Sequence, residues 1–505
     1  MKATTKKWLV ATLAAGLTLG ACGQDGGSDP TGSGTGDSTN ANGSNETFEG
    51  VEGLNKIRDV SEKSVPTPTG DVYAGSVKPT EASVEALMAE NQKPHADSND
   101  VEYKEAEATK IALDGESAKV DGQGAKAADG KVTISSEGTY ILSGTFKGEV
   151  VVEANKKEKV HIVLDNANIE STKDSAIRVL EAKEAIVVLA DGSTNSLKDS
   201  ASYESTVDNG PIAALASKAD LTIGGGGTLE VNGQTNDGIS GSDGVVVVGG
   251  TINVTSVDDA IRGKDYVVIA DGTFNLQAGS DGIKSDNDTD SGRGYVLIMG
   301  GDATINSAED AVGATSDLIV SGGKITVTET KEGFESSKML LAGGSADITA
   351  SDDGLNTVDG KEPWLAITGG EWTLNTEGDG FDSNGKGHIS DGKVTIYGPS
   401  ATGNAAIDIQ DGLTVSGGTL FAVGAVGKDV TPKAEGDQSA VKFQADVAEG
   451  STVAIQDASG NELASYTSPK KAGSIIYSGP GIAKGQEYKV AINGQEAATA
   501  KGGEG

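Results

Sequence analysis

The chain has 505 residues, of which 73 are glycine and only 4% are aromatic, with a formal net charge of −35. That charge excludes a protein that binds nucleic acid by neutralising phosphates and argues against docking on an anionic membrane surface. One cysteine excludes a disulfide framework and a cysteine-cluster zinc site, and His95, His161 and His388 are too scattered for a histidine-rich one.

In chain order, Lys2, Lys6 and Lys7 precede an apolar run at residues 9–19, and Leu19-Gly20-Ala21 leads into Cys22. Residues 1–21 thus resemble a bacterial lipoprotein signal peptide, with Cys22 as the lipidated N-terminus of the mature chain. Each buried methylene of an acyl chain contributes about 0.8 kcal/mol, so several chains on one residue hold a protein at a membrane. The expected location is the cell surface, lipid-anchored to a bacterial membrane and facing outward. Residues 23–45 are nearly all Gly, Ser, Thr, Asp and Asn, which cannot bury enough apolar surface to fold. Residues 22–104 read as a flexible tether, with one helical stretch at 81–90 between Pro79 and Pro94.

A repeat follows. Glycine turns at Gly249-Gly250, Asp271-Gly272, Gly300-Gly301, Gly322-Gly323, Gly343-Gly344 and Gly369-Gly370 each stand nine positions, counted from their second residue, before an acidic residue. Those acids are Asp259, Asp281, Asp310, Glu332, Asp353 and Asp379, and Asp237 heads the series. Between the turns lie short runs rich in Val, Ile and Thr, too short for helices, which read as strands. A unit of about 22 residues with three short strands is the size of one rung of a right-handed parallel β-helix, whose rungs bury a common core only by stacking. The fold class is therefore all-β: a parallel β-helix over 105–430, regular from 131 to 425, with a C-terminal β cap and tail over 431–505. Counted from the turn, Trp372 aligns with Ile252, Phe274, Ala303, Ile325, Ala346, Val394 and Leu420, which predicts an interior stack.

Equivalent residues on adjacent rungs sit about 4.8 Å apart. The acids therefore form a ladder, and like charges at that spacing repel by roughly 0.8 kcal/mol per pair even at the dielectric of water. Two readings stand for each acid: a turn device bonding the backbone two residues on, or a ligand of a hard cation. For the ladder as a whole Ca²⁺ is the expected partner, since crowded carboxylates without His or Cys select it. The candidate metal residues are Asp237, Asp258, Asp259, Asp281, Asp310, Asp353 and Asp379. The insertion at 286–292 adds Asp286, Asp288 and Asp290, an alternating pattern ending in Gly292 that begins like a calcium loop but lacks the EF-hand glutamate. Arg262 and Lys284 stand three places after ladder acids on adjacent rungs; they suit either charge relief or proton abstraction from a uronate. Tyr266 and Tyr295 occupy matching positions at the start of apolar runs. With Arg262 and Lys284 they form the expected carbohydrate-binding face on the outer wall, against which stands a plain tyrosine ladder.

Residues 191–197 (DGSTNSL), 220–231 (DLTIGGGGTLEV), 258–264 (DDAIRGK) and 281–295 (DGIKSDNDTDSGRGY) resemble, in that order, the calcium-containing parallel β-helix proteins of bacterial cell surfaces that bind carbohydrate. The resemblance covers residues 110–495. It implies a β-helix related to pectate lyases that binds cellulose and polygalacturonate with Ca²⁺ and without cleavage, and the pieces that match its acidic calcium-rich face are Asp259, Asp281, Asp286, Asp288 and Asp310. The expected partner is a polysaccharide, and the expected state a monomer. A calcium-dependent polysaccharide lyase and a structural adhesin with a protein ligand are the alternatives.

Overall fold

The computed structural model describes residues 49–64, 73, 75–203, 210–358, 360 and 362–503. Cys22, the signal over 1–21 and the start of the tether lie outside them.

The described chain is almost wholly β and winds as a parallel β-helix with three walls. The first wall passes from Lys159–Glu170 through Glu184–Leu189, Asp220–Gly225, Gly244–Val247, Tyr266–Ile269, Tyr295–Ile298, Asp317–Val320 and Lys338–Leu341 to Trp364–Thr376, each paired in parallel with the next. The second runs through Thr228–Gly233, Thr251–Ser256, Thr273–Ala278, Asp302–Ser307, Lys324–Glu329 and Ser345–Ala350 to the far half of Trp364–Thr376. The third is a 13-stranded sheet that includes Asp237–Gly241, Ile261–Gly263, Ile283–Ser285, Asp310–Ala314 and Glu332–Ser336.

The sequence period is the physical repeat. Ile252, Phe274, Ala303, Ile325, Ala346, Trp372, Val394 and Leu420 are in register, one per rung, and line one core. Trp372 is 1% exposed, its ring beside the small Ala346, and its Nε1 donates to Gly369 O at 2.7 Å. Turn glycines are required by backbone shape. Gly323 has φ +86°, and a Cβ there would lie 2.8 Å from Gly300 O on the rung before.

On the second wall alternate residues point outward. One outward column reads Asn253, Asn275, Thr304, Thr326, Asp347 and Thr373. The next reads Thr255, Gln277 and Asn306, passes a bulge at Thr328-Glu329, and continues as Thr349 and Asn375. All of these are exposed or half-exposed.

Two ends close the stack. Thr109–Gly115 pairs with Ser117–Asp121 as an antiparallel hairpin and in parallel with Gly138–Lys147, so rungs begin well before the regular repeat. At the other end Thr419–Gly424 pairs antiparallel with Ala472–Ser478, which stops the parallel pattern. A four-stranded antiparallel sheet of Thr452–Asp457, Glu462–Thr467, Glu487–Ile492 and Gln495–Lys501 completes the β cap.

Residues 75–104, expected within the tether, instead lie along the first wall as a strap. The helix forms over Val84–Met88, shorter than 81–90, and is capped by Ser83 Oγ, which accepts from Ala86 N at 3.1 Å. Leu87 and Met88, with Leu54 of helix Glu49–Ser64, are buried against Val268, Leu297 and Ile319. Polar contacts fix the strap's course. Trp364 Nε1 donates to Val77 O (3.0 Å), Asn91 Nδ2 to Asp317 Oδ2 (2.8 Å), Gln92 N to Gly292 O (2.7 Å) and Lys159 Nζ to Asp100 Oδ1 (2.5 Å). The strap therefore runs against the direction in which the rungs wind. The reason is composition: this wall carries apolar residues on its outer side as well, and they need cover.

Candidate metal and carbohydrate site

The ladder acids stand at the entrance of each strand of the third wall, two residues before the core column Ile239, Ile261, Ile283, Val312, Phe334, Leu355 and Phe381. Their first task is local. Asp259 Oδ1 accepts from Asp281 N at 3.1 Å, Asp281 Oδ1 from Asp310 N at 2.8 Å, and Asp353 Oδ1 from Asp379 N at 2.6 Å. Asp379 Oδ1 accepts from Ala405 N. Asp259, Asp281, Asp353 and Asp379 thus each tie their rung to the next, a bond between rungs rather than the expected bond two residues on.

The other oxygens carry the electrostatic cost. Burial, then Asp259, pushes Asp237 up to about 7; burial, then Asp281, does the same for Asp310. Burial raises Asp353 to about 7 and Asp379 to about 6. Asp259 rises to about 6, burial outweighing the relief from Lys284.

Two groups of acids converge. Carboxylate oxygens of Asp237, Asp258 and Asp259 lie within 4.8 Å of one another, as do those of Asp310, Glu332 and Glu335. Asp237 is 1% exposed, and its Oδ2 has no hydrogen-bond partner. The nearest cation, Arg262 Nη1, is 3.8 Å away, and the guanidinium is instead spent on Asp286, with Nη2 2.5 Å from Oδ2. A buried carboxylate oxygen without a donor, among oxygen-only neighbours, fits a hard cation. In the second group Asn356 Nδ2 donates to Glu332 Oε2 (2.7 Å) and Glu335 Oε2 (3.1 Å). Gly313 opens a groove of about 130 Å³ between Lys284 and Glu335 beside these acids.

Of the expected metal residues, Asp237, Asp258 and Asp259 come together and Asp310 joins Glu332 and Glu335. Asp281 is paired with Lys284 Nζ. Asp353 and Asp379 join neither group. The loop pattern needs correction. Asp286 is held by Arg262, Asp290 lies 3.4 Å from Arg293 Nη1, and Asp288 is exposed. Asn287 Oδ1 accepts from Thr289 N and Asp290 N, so the loop is closed on itself and its acids do not converge. Glu335 was missed as a site residue; its signal was its place three residues after Glu332, next in column to the gap at Gly313.

The expected sugar face also needs correction. Arg262 and Lys284 are in register on the third wall. Tyr266 and Tyr295 are likewise in register and stacked, with centroids 5.1 Å apart and planes at 15°, but they lie on the first wall. Both are fully buried beneath the strap. Tyr266 Oη lies 2.8 Å from His95 Nδ1, and Tyr295 Oη donates to Gln92 O at 2.7 Å. The pair anchors the strap and presents no ring to a ligand.

Residues 128–356 match the family model described as "Carbohydrate-binding domain-containing protein". This stretch is similar to a carbohydrate-binding family. Both acid groups fall within the matched stretch. A protein of Acetivibrio thermocellus, also described as a "Carbohydrate-binding domain-containing protein", is 36% identical over 149 residues, 29% of this chain and 52% of the relative. The chain thus spans about half the length of that curated relative. A solved structure of "the polysaccharide lyase-like protein from C. thermocellum", a gadolinium derivative, is 32% identical, covering 45% of this chain and 94% of that chain with a TM-score of 0.43.

Proposed function

We propose that the protein is a non-catalytic polysaccharide-binding protein, lipid-anchored at Cys22, whose third wall binds acidic glycan through Ca²⁺. The observation that carries the cation reading is the buried, unpartnered Oδ2 of Asp237 beside Asp258 and Asp259. Those three residues, and Asp310, Glu332 and Glu335, would hold the ions. Bound Ca²⁺ supplies positive charge through which a protein at −35 can hold a uronate carboxylate. Among the glycans that the family resemblance implies, polygalacturonate suits this wall.

Binding is favoured over cleavage by the state of the two bases. Burial would lower the Lys284 ammonium, but Asp281 outweighs it and holds it well above its usual value. Burial and Asp286 act on Arg262 in the same opposed way, and it too is raised. A group that removes a C5 proton must first be neutral.

The test is co-sedimentation with insoluble polygalacturonate, with and without chelator, alongside calorimetry of metal-stripped protein. Expected are Ca²⁺-dependent retention and a rise in Tm, since a ligand of the native state alone adds about 2.7 kcal/mol at a hundredfold excess over Kd. No Tm shift at saturating Ca²⁺ would overturn the cation reading. Ultraviolet-absorbing unsaturated products would restore the lyase.

A further inference from the structure

The apolar outward column of the first wall stops near the strap's end. Val268, Leu297, Ile319, Leu340 and Ala366 stand in register, and the next residues of the column are His388 and Thr414. His388 is 5% exposed, and its ring meets groups from the two rungs that follow. Ser416 Oγ lies 3.3 Å from Nε2, and Glu435 Oε2 lies 3.8 Å from Nδ1. The backbone sets these places: Ser416 N donates to Ile389 O (2.9 Å) and Glu435 N to Val415 O (2.8 Å). Behind Ser416, Gln438 Nε2 donates to Gly417 O (3.2 Å) and Gly418 O (3.1 Å) and fixes the turn. Ser416 and Glu435 are exposed, whereas Nδ1 of His388 is buried and has no hydrogen-bond partner. When Nε2 accepts the Ser416 hydroxyl, Nδ1 carries the ring proton. Glu435 then has about 1 Å to close to accept it.

From this juxtaposition we infer that Ser416, His388 and Glu435 form a hydrolytic site for esters of small carboxylic acids. A hydroxyl on one ring nitrogen and a carboxylate beside the other is the arrangement that activates a serine. Nε2 takes the Ser416 proton as Oγ bonds to the ester carbonyl carbon; the bond from that carbon to the alcohol oxygen then breaks as the proton passes to the leaving oxygen. Water next attacks the acyl-serine and gives one proton to Nε2, and the acid departs as that proton returns to Oγ. Glu435 steadies the ring and balances its transient charge. The N–H of Gly417, next in the chain after the nucleophile, is assigned to the oxyanion. The base must begin neutral: burial holds His388 below its usual value and outweighs Glu435, which acts in the opposite sense. Thr414, Lys433 and Gln438 on this stretch of wall are polar and offer a long acyl chain no apolar groove, while an exposed serine is open to a bulky alcohol part. The non-catalytic reading of the third wall rests on its charged bases. This site has a neutral base on another wall and stands or falls apart from the polysaccharide reading.

The experiment is turnover of p-nitrophenyl acetate by the full chain in chelator, with the octanoate alongside, and reaction with a fluorophosphonate followed by peptide mass mapping. Expected are turnover of the acetate, turnover of the octanoate slower by about tenfold or more, and the phosphonyl group on Ser416. Ser416→Ala alters an exposed side chain and keeps the fold; it should lower turnover about a hundredfold or more. Glu435→Gln should lower it about tenfold. His388→Ala should abolish turnover, and added imidazole should restore part of it, which a purely structural role would not allow. The rate should rise with pH as the ring loses its proton, with a midpoint below about 6.5, and then level off. No turnover of either ester, unchanged turnover by Ser416→Ala, a label only at other residues, or a rate that climbs with hydroxide without levelling would overturn the inference. Faster turnover of the octanoate would overturn the assignment to small acids.

Discussion

Asp237 shows how one residue joins stability to function. Its carboxyl, like those of Asp310 and Asp353, is raised to about 7, against about 3.9 in an unfolded chain. A raised folded value means that the folded state prefers the protonated form. That preference stabilises fully below the unfolded value and is lost as pH climbs through the folded one. Metal-free protein should therefore lose Tm as pH rises from about 5 to about 8, a fall that a calorimetric pH series in chelator would show. Asp237→Asn removes one ladder charge and keeps an acceptor for Asn236, whose Nδ2 lies 3.0 Å from Asp237 Oδ1. In chelator above pH 7 it should raise Tm or leave it unchanged, and with Ca²⁺ it should shrink the Ca²⁺-induced shift. An unchanged Ca²⁺ shift would place the ion elsewhere. At this scale the sequence was legible where spacing carried the information: nine residues from each turn put the six ladder acids from Asp259 to Asp379 at matching places on their rungs. It misled at Asp286, Asp288 and Asp290, because whether alternating acids converge depends on which arginines reach them, and Arg262 comes from the rung before.

Among the elements, core rungs and strap should fail differently. Trp372→Ala empties a fully enclosed position in the stack and should cost about 3–5 kcal/mol, read by denaturant unfolding. Leu87→Asp places a charge beneath the helix Val84–Met88, where burial is complete. That substitution should release the strap without unwinding the rungs. Limited proteolysis would then cut between residues 75 and 104 while the far-ultraviolet β signal persists; loss of both together would mean that the strap and the rungs fold as one unit. The strap was hidden from pattern reading for a specific reason. Tyr266–Ile269 and Tyr295–Ile298 are buried on both sides, so they show no alternation, and a run buried on both sides does not say what covers it. The covering segment itself is short, proline-bounded and mixed in composition, and it reads as linker.

For the whole molecule, the cap decides whether the stack stays single. Thr419–Gly424 ends the parallel pairing and is closed by the antiparallel strand Ala472–Ser478. Truncation after residue 430 would bare that edge, and an uncovered strand edge pairs with another chain. Light scattering after size exclusion should then show end-to-end oligomers that the full chain does not form. The repeat and the cap were both visible in the sequence, one as a period and the other as its loss. The three-walled shape adds an arrangement that a linear period cannot display: a wall headed by the ladder acids, a wall whose outward columns mix hydroxyls and amides with Asp302, Lys324, Glu371 and Lys393, and a wall covered by the strap.

The strap's reversed course has a mechanical consequence. A pull applied ahead of Glu49 would first lift the helix Glu49–Ser64, then break the Val77–Trp364, Asn91–Asp317 and Asp100–Lys159 contacts in turn. Contacts broken in series yield at low force, whereas parallel strands sheared together resist as a group. Under a load applied from the N-terminal side, a length of strap would thus be paid out before any rung of the β-helix felt the tension.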